Sequence, residues 1–228
     1  MGQKGYKKIY IEKRKLLAMV LCVALIVADV LIGAGSSIDG KSGQAEAAEY
    51  VLKAPTVSAG VTTWDCISFG SYLQEDTNED GVVNASDKKQ PLIWRVLYVS
   101  ADGMDALILA DKNIDCQTYH TSDTAVTWED CKLRTWLNNT FLDAAFNTVG
   151  QNAILSSSVS TVTSGAAIST TDKIFLLSTE DACNKSYGFV EDPANASKTR
   201  RVKNTAYAKA KGAFSDATTG LVGNGNYW

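Results

Sequence analysis

The sequence has a single histidine, His120, among 228 residues, which excludes any metal site or mechanism that needs two imidazoles. It also has no excess of positive charge. Lys and Arg number 22 against 25 Asp and Glu, a balance of −3, and residues 1–47 hold seven basic and four acidic side chains, leaving fifteen and twenty-one, or −6, for residues 48–228. An acidic body is repelled by phosphate backbones and anionic lipid, which excludes a nucleic-acid-binding module and leaves the N-terminal segment as the one route to a membrane. No second long apolar run follows the one near the N-terminus, so the chain is not a multi-pass membrane protein. With 45% hydrophobic and 21% charged residues it is not a disordered one either. No internal repeat is visible, and no two cysteines have the close spacing of zinc ligands.

What is present begins with a leader. Lys4, Lys7, Lys8, Lys13, Arg14 and Lys15 precede a seventeen-residue apolar stretch from Leu16 to Ile32, interrupted by Asp29 and followed by small polar residues. That order reads as a secretory signal over residues 1–47, with a small-x-small site at Ala45-Glu46-Ala47; the rival reading is an uncleaved membrane anchor. Either way the body is expected outside the cytosol, secreted or at the cell surface. Without Cys22, the cysteines are Cys66, Cys116, Cys131 and Cys183, an even number for an oxidising compartment. Short-loop closure favours Cys116–Cys131, leaving Cys66–Cys183; four reduced, buried cysteines are the alternative.

Residues 48–61 read as a linker, and 62–228 as a single domain. Thr63–Gly70 reads as a first strand ending at a glycine turn. The apolar runs 92–99 and 106–110 flank Ser100-Ala101-Asp102-Gly103, a hairpin whose strands are apolar on both faces and therefore central. A helix is expected from Thr127, as N-cap, with Asp130 as its reciprocal partner, and a second short one over 140–146. In Ser156–Thr171 ten of sixteen residues are Ser or Thr, a surface loop or exposed strands. A buried strand follows over 173–178, a brief helix from Thr179, and a helix over 206–211 stopped by Gly212. Strands and helices mix without regular alternation, which gives an α+β class with a mixed or antiparallel sheet and short helices.

One motif carries ion chemistry. Residues 76–87 place oxygen-bearing side chains at loop positions 1, 3, 5, 9 and 12, glycine at 6 and a β-branched residue at 8. A hard cation needs six to eight oxygens, so the chain must curl sharply, at Gly81, while Asp76, Asn78 and Asp80 face inward, Val82 offers its carbonyl, Asn84 acts directly or through water and Asp87 closes the shell. The expected ion is Ca²⁺ in a structural role, since a full protein shell leaves no position for substrate. The bland alternative is a solvated acidic turn. Pro91 and the strand after it argue that the loop joins strands rather than helices.

The remaining candidates point elsewhere than catalysis. His120 has no paired Ser or Cys, and Asp111, Asp115, Glu129 and Asp130 have no fixed separation that would mark a glycosidase dyad. Five tryptophans suit sugar stacking, yet Trp94 and Trp136 sit in patterns that predict core packing.

Several stretches together resemble an uncharacterised family of secreted bacterial domains, number 6273 among the domains of unknown function. The carriers are Trp64–Tyr72, the calcium-type loop, Pro91–Leu97, Asp115–Tyr119, Val126–Asn138, Thr171–Ser178 and Thr205–Ala210. The loop itself resembles the calcium loop of cellulosomal dockerin repeats, of which dockerins carry two. The family resemblance implies a fold similar to C-type lectins and formylglycine-generating enzymes, with closing strands that this chain, ending at Asn226-Tyr227-Trp228, is expected to lack. The expected function is a non-catalytic binding module for extracellular glycan or protein, stabilised by calcium. The alternative is an extracellular enzyme similar to formylglycine-generating enzymes, or a carboxylate-dependent hydrolase, which needs a reactive cysteine pair or an acidic dyad.

Overall fold

The computed structural model describes residues 7–12, 51–163, 166–191, 198–214 and 224–225. The apolar stretch 16–32, the small-x-small site at 45–47, Cys22 and Trp228 lie outside the described residues.

Twelve strands are described. They are β1 Lys7–Glu12, β2 Thr56–Ser58, β3 Val61–Thr63, β4 Cys66–Tyr72, β5 Gln90–Val99, β6 Asp105–Ala110, β7 Lys112–Asn113, β8 Ser157–Thr163, β9 Ala166–Asp172, β10 Ile174–Leu176, β11 Val202–Asn204 and β12 Asn224–Gly225. The principal sheet has the order β10-β1-β6-β5-β4, with every pair antiparallel. A smaller one, β12-β11-β7, joins its strands antiparallel and parallel, and β2-β3 and β8-β9 are separate hairpins. The helices are short: α1 Lys132–Trp136, a π-turn over Leu137–Phe141, α2 Leu142–Ala145, α3 Thr148–Ala153, α4 Thr179–Ala182 and α5 Ala206–Ala210. The class is α+β.

The hairpin expected from apolar runs on either side of Asp102-Gly103 is the centre of the fold. Gly103 takes φ +68° in the turn, and Ser100 donates its amide to the Asp105 carbonyl at 2.9 Å. Trp94, Val96, Leu97, Leu107, Ile108 and Leu109 have no exposed surface; β6 is thus covered on both faces, whereas β5, against the expectation, leaves Ile93 and Tyr98 exposed. On one face lie Phe141, Ala145 and Phe146, with Phe69 and Phe146 rings 4.9 Å apart and Trp94 donating its indole N–H to the Phe69 carbonyl at 2.7 Å.

Gly70 does not end the strand. It sits inside β4 at φ +75°, where the register shifts between Ser68 and Ser71, and Phe146 presses against its missing side chain. A bulge of the kind that places one residue in left-handed backbone uses glycine as a turn does, and the two read alike in sequence.

The first long helix also starts later than expected. Cys131 is the N-cap, its sulfur accepting the Arg134 amide at 3.3 Å, while the Thr127 hydroxyl is buried and has no hydrogen-bond partner. What draws the chain inward before Lys132 is Trp128, whose indole donates to Asp172 at 2.9 Å. At α4 and α5 the caps fall where the sequence places them: Ser178 and Asp181 form a capping box and Thr205 accepts from Ala208, with Gly212 at φ +93° past the end of α5.

The Ser/Thr-rich stretch forms a hairpin, pairing from Ser157↔Asp172 to Thr163↔Ala166, with exposed and half-buried residues alternating along β8 and Thr170 and Asp172 buried at its base. Two further stretches form strands. Within 48–61, Leu52 is buried in the core cluster and Thr56–Ser58 pairs with Val61–Thr63. In the basic leader, Lys7–Glu12 is a strand between β6 and β10. Among the described residues no helix is long and apolar enough to cross a membrane.

Candidate metal centre

Residues 76–87 lie in the connection from β4 to β5, so the loop joins two strands. Its base is pinned. Gln74 is buried and donates its amide to the carbonyls of Gln90 at 3.2 Å and Pro91 at 2.9 Å, and the Glu75 amide donates to the Gln90 side chain at 3.1 Å. Within the loop stand four acids, Asp76, Glu79, Asp80 and Asp87, and no base.

The carboxylates fold the loop around themselves. Asp87, 7% exposed, accepts the amides of Thr77 at 2.7 Å, Asn78 at 3.3 Å and Asn84 at 2.8 Å, and the Thr77 hydroxyl at 3.1 Å. These donors, the Asn84 and Thr77 amides first, hold its carboxyl below the usual carboxylate range. Asp80 accepts the Val82 amide, Asn78 the Asp80 amide and Asn84 the Ser86 amide, each a side chain closing a turn two residues on. Gly81, at φ +84°, donates to Asp76 Oδ2 at 2.7 Å. The other oxygen of that carboxylate, Oδ1, is buried without a hydrogen-bond partner. A buried anionic oxygen left unpaired is costly, and a cation beside it removes the cost.

The donor set therefore fits a hard cation in kind: carboxylates of Asp76, Asp80 and Asp87, amide oxygens of Asn78 and Asn84, and the Val82 carbonyl, which here accepts the Asn84 side-chain amide at 3.0 Å. Among the described residues no three of His, Cys, Asp and Glu form a ready-made metal cage. Asp76 Oδ2, Asp80 Oδ1 and both oxygens of Asp87 instead accept from the loop's own amides, and Asp76 Oδ1 alone of these carboxylate oxygens is buried without a partner.

The other candidates have their own surroundings. Asp111 pairs with Arg95 at 2.6 Å, Asp115 accepts the Tyr72 hydroxyl at 2.8 Å, and Glu129 and Asp130 are exposed on a turn. His120 is half-buried, with Nδ1 lacking a hydrogen-bond partner. The expected disulfides are not formed: no disulfide joins Cys66, Cys116, Cys131 or Cys183. Cys131 is buried as a helix cap, Cys183 accepts from Arg200 at 3.8 Å, and Cys66 is exposed on an edge strand. Burial, then the Asp111 charge, pushes the Cys66 thiol up. Burial and the neighbouring Cys131 push Tyr119 up to about 12.

The described tryptophans are occupied. Trp94 and Trp128 are buried, Trp136 packs on Phe141 at 5.5 Å between ring centroids, and Trp64 donates to the Tyr187 carbonyl while the Arg95 guanidinium lies 5.0 Å over its ring. One polar network had no signature in the sequence. Asp172, its side chain 1% exposed, accepts from Arg134 at 2.7 Å, Trp128 at 2.9 Å and Thr170 at 2.6 Å, tying α1 to β9. Beside the loop a cavity of about 230 Å³ is lined by Gln74, Glu75, Leu92, Asp111, Lys112 and neighbours, with the Lys112–Glu75 pair 3.9 Å apart.

A family model for a domain of unknown function, DUF6273, matches residues 104–228, more than half of the chain. The chain belongs to the DUF6273 family. The matched DUF6273 segment begins in the β5–β6 turn, contains the Trp128–Arg134–Asp172 network, and leaves the 76–87 loop outside it. Because β6 is buried by pairing with β5, the folded unit around the DUF6273 segment is larger than the segment itself. No curated protein and no solved structure matches the chain.

Proposed function

We propose that this domain is a secreted or surface-held, non-catalytic binding module whose 76–87 loop is organised by Ca²⁺, and that its ligand is an extracellular glycan or protein. The observation that carries the calcium part is the split state of Asp76, with Oδ2 bonded to the Gly81 amide and Oδ1 buried and unpaired. Asp76, Asn78, Asp80, Asn84, Asp87 and the Val82 carbonyl would hold the ion, which would neutralise the acidic loop and fix the connection between β4 and β5. Of the two ligand classes, protein is favoured. The described tryptophans, the broadest platforms for a pyranose, are buried, packed or covered by Arg95, which leaves Tyr98 and Phe214 as exposed aromatic rings.

The full chain, immobilised and presented with a glycan array and with extracellular protein extract, in calcium and in chelator, tests this reading. Calcium-dependent retention of a defined ligand is the expected result. Blank arrays and blank pull-downs in both buffers would overturn it.

A further inference from the structure

β1 occupies a position that the rest of the sheet leaves for it. Lys7–Glu12 runs antiparallel to β6, from Lys8↔Leu109 to Glu12↔Asp105, and antiparallel to β10, from Lys7↔Leu176 to Ile9↔Ile174. β6 and β10 are thus held one strand apart, about 9–10 Å at the usual spacing. Both belong to the core: Ala106–Ala110 are at most 2% exposed, and Ile174 and Phe175 are buried. With β1 withdrawn, two buried strands would face each other across a gap, each with an unpaired row of amides and carbonyls.

Export of the body has a consequence for this gap. A basic segment ahead of an apolar run stays on the cytoplasmic side when the run is kept as an anchor, and is severed from the body when the leader is cleaved. In both cases Lys7–Glu12 is parted from the sheet that it completes. We propose that the space between β6 and β10 is a strand-acceptor site, and that its ligand in the exported protein is an extended segment of another polypeptide. That segment runs antiparallel to β6 and carries β-branched apolar residues at alternate positions, as Ile9 and Ile11 do opposite Ile108 and Ala106. Main-chain hydrogen bonds on both sides supply affinity and the alternate positions supply selectivity. This inference rests on the exported binding-module reading and names its partner class.

The test uses the full chain and a labelled peptide of residues 5–14. In the double variant Ile9→Pro, Ile11→Pro the in-cis strand loses two amides and cannot pair. The labelled peptide is expected to bind this variant at least about tenfold more tightly than the unaltered chain, whose own strand competes at an effective concentration on the order of millimolar. A peptide with the same two prolines should bind neither. Absence of peptide binding to a folded double variant would overturn the proposal. Should the variant not fold, two cysteine pairs in the otherwise intact chain decide: Ile9→Cys with Ile108→Cys, and Tyr10→Cys with Leu107→Cys. Adjacent pairs alternate between hydrogen-bonded and closer non-hydrogen-bonded positions, so one of the two should cross-link on mild oxidation. Failure of both would overturn the slot. Fractionation separates the two readings: a cytosolic body that still takes the peptide removes export and leaves the acceptor site, whereas an exported body that refuses it removes the site alone.

Discussion

Gly81 donates its amide to Oδ2 of Asp76 at 2.7 Å, and Oδ1 of the same carboxylate is buried with no hydrogen-bond partner. The two residues divide one carboxylate between a structural task, closing the turn, and an oxygen still to be satisfied. Glycine favours the first, because the left-handed φ of +84° strains any residue with a Cβ. A divalent cation satisfies the second, and the acidity of the whole loop points the same way.

The Asp172 network is expected to dominate the stability of the domain's helical side. Removing one partner of a buried ion pair leaves an uncompensated charge, so Asp172→Ala should cost about 3–5 kcal/mol in denaturant unfolding. The exposed pair Lys185–Glu191, 72% exposed on both sides, is the control, and Lys185→Ala should change stability by less than about 1 kcal/mol. Equal effects would show that Asp172 is not the buried keystone that its contacts describe.

Two glycines with similar backbone should respond differently to alanine. At Gly70 a Cβ would meet Phe146 Cε1 at 2.5 Å and the Ala145 carbonyl oxygen at 2.8 Å; at Gly81 nothing lies within 4 Å. Gly70→Ala therefore combines backbone strain with overpacking, about 3 kcal/mol, whereas Gly81→Ala carries the backbone term alone, about 1 kcal/mol. Thermal melts of the two variants distinguish these costs.

Cys66 is exposed, yet its thiol is pushed up by desolvation, then by Asp111, against the lowering effect of Arg95. A raised thiol holds less thiolate at a given pH, so alkylation should be slower at pH 8 than for a free cysteine and its rate midpoint should lie higher. Asp111→Asn removes a raising charge and should move the midpoint down. Mass-spectrometric alkylation rates across pH measure this, and a midpoint at or below that of an ordinary thiol would contradict the geometry.

Alkaline stability follows from Tyr72 and Tyr119. Both phenols are raised by burial, Tyr72 further by the Asp115 carboxylate and Tyr119 to about 12. Folding then disfavours the ionised form, so this contribution is complete below the ordinary tyrosine value near 10 and is lost as pH rises above it, because the unfolded chain releases its protons first. Unfolding followed from pH 9 to 12 should show falling stability, with a shallower slope in Tyr72→Phe.

The elements that could be read from the sequence are those that local physics decides. The β5–β6 hairpin announces itself by two apolar runs around Asp102-Gly103, and the caps at Ser178 and Thr205 by their own side chains. The loop is legible for the same reason: its donors are consecutive. What stayed hidden depends on distant contacts. Gly70 reads as a turn until Phe146 is seen against it, the start of α1 moves from Thr127 to Cys131 because Trp128 reaches Asp172, 44 residues away, and four cysteines in even number say nothing of whether any two meet. Nothing within the basic segment 7–12 marks the strands, about a hundred residues downstream and beyond, with which it pairs.

Titration calorimetry of the full chain with Ca²⁺ in chelator-treated buffer, paired with a thermal melt and repeated on Asp76→Ala, tests the central claim most directly. The account expects a saturable heat for one ion at affinity on the order of 10⁻⁴–10⁻³ M. It also expects a melting shift of about 3–5 °C at ten times the dissociation constant, from about 1.4 kcal/mol of linkage. Both should vanish in Asp76→Ala. No heat and no shift in the unaltered chain, or an undiminished response in the variant, would contradict it.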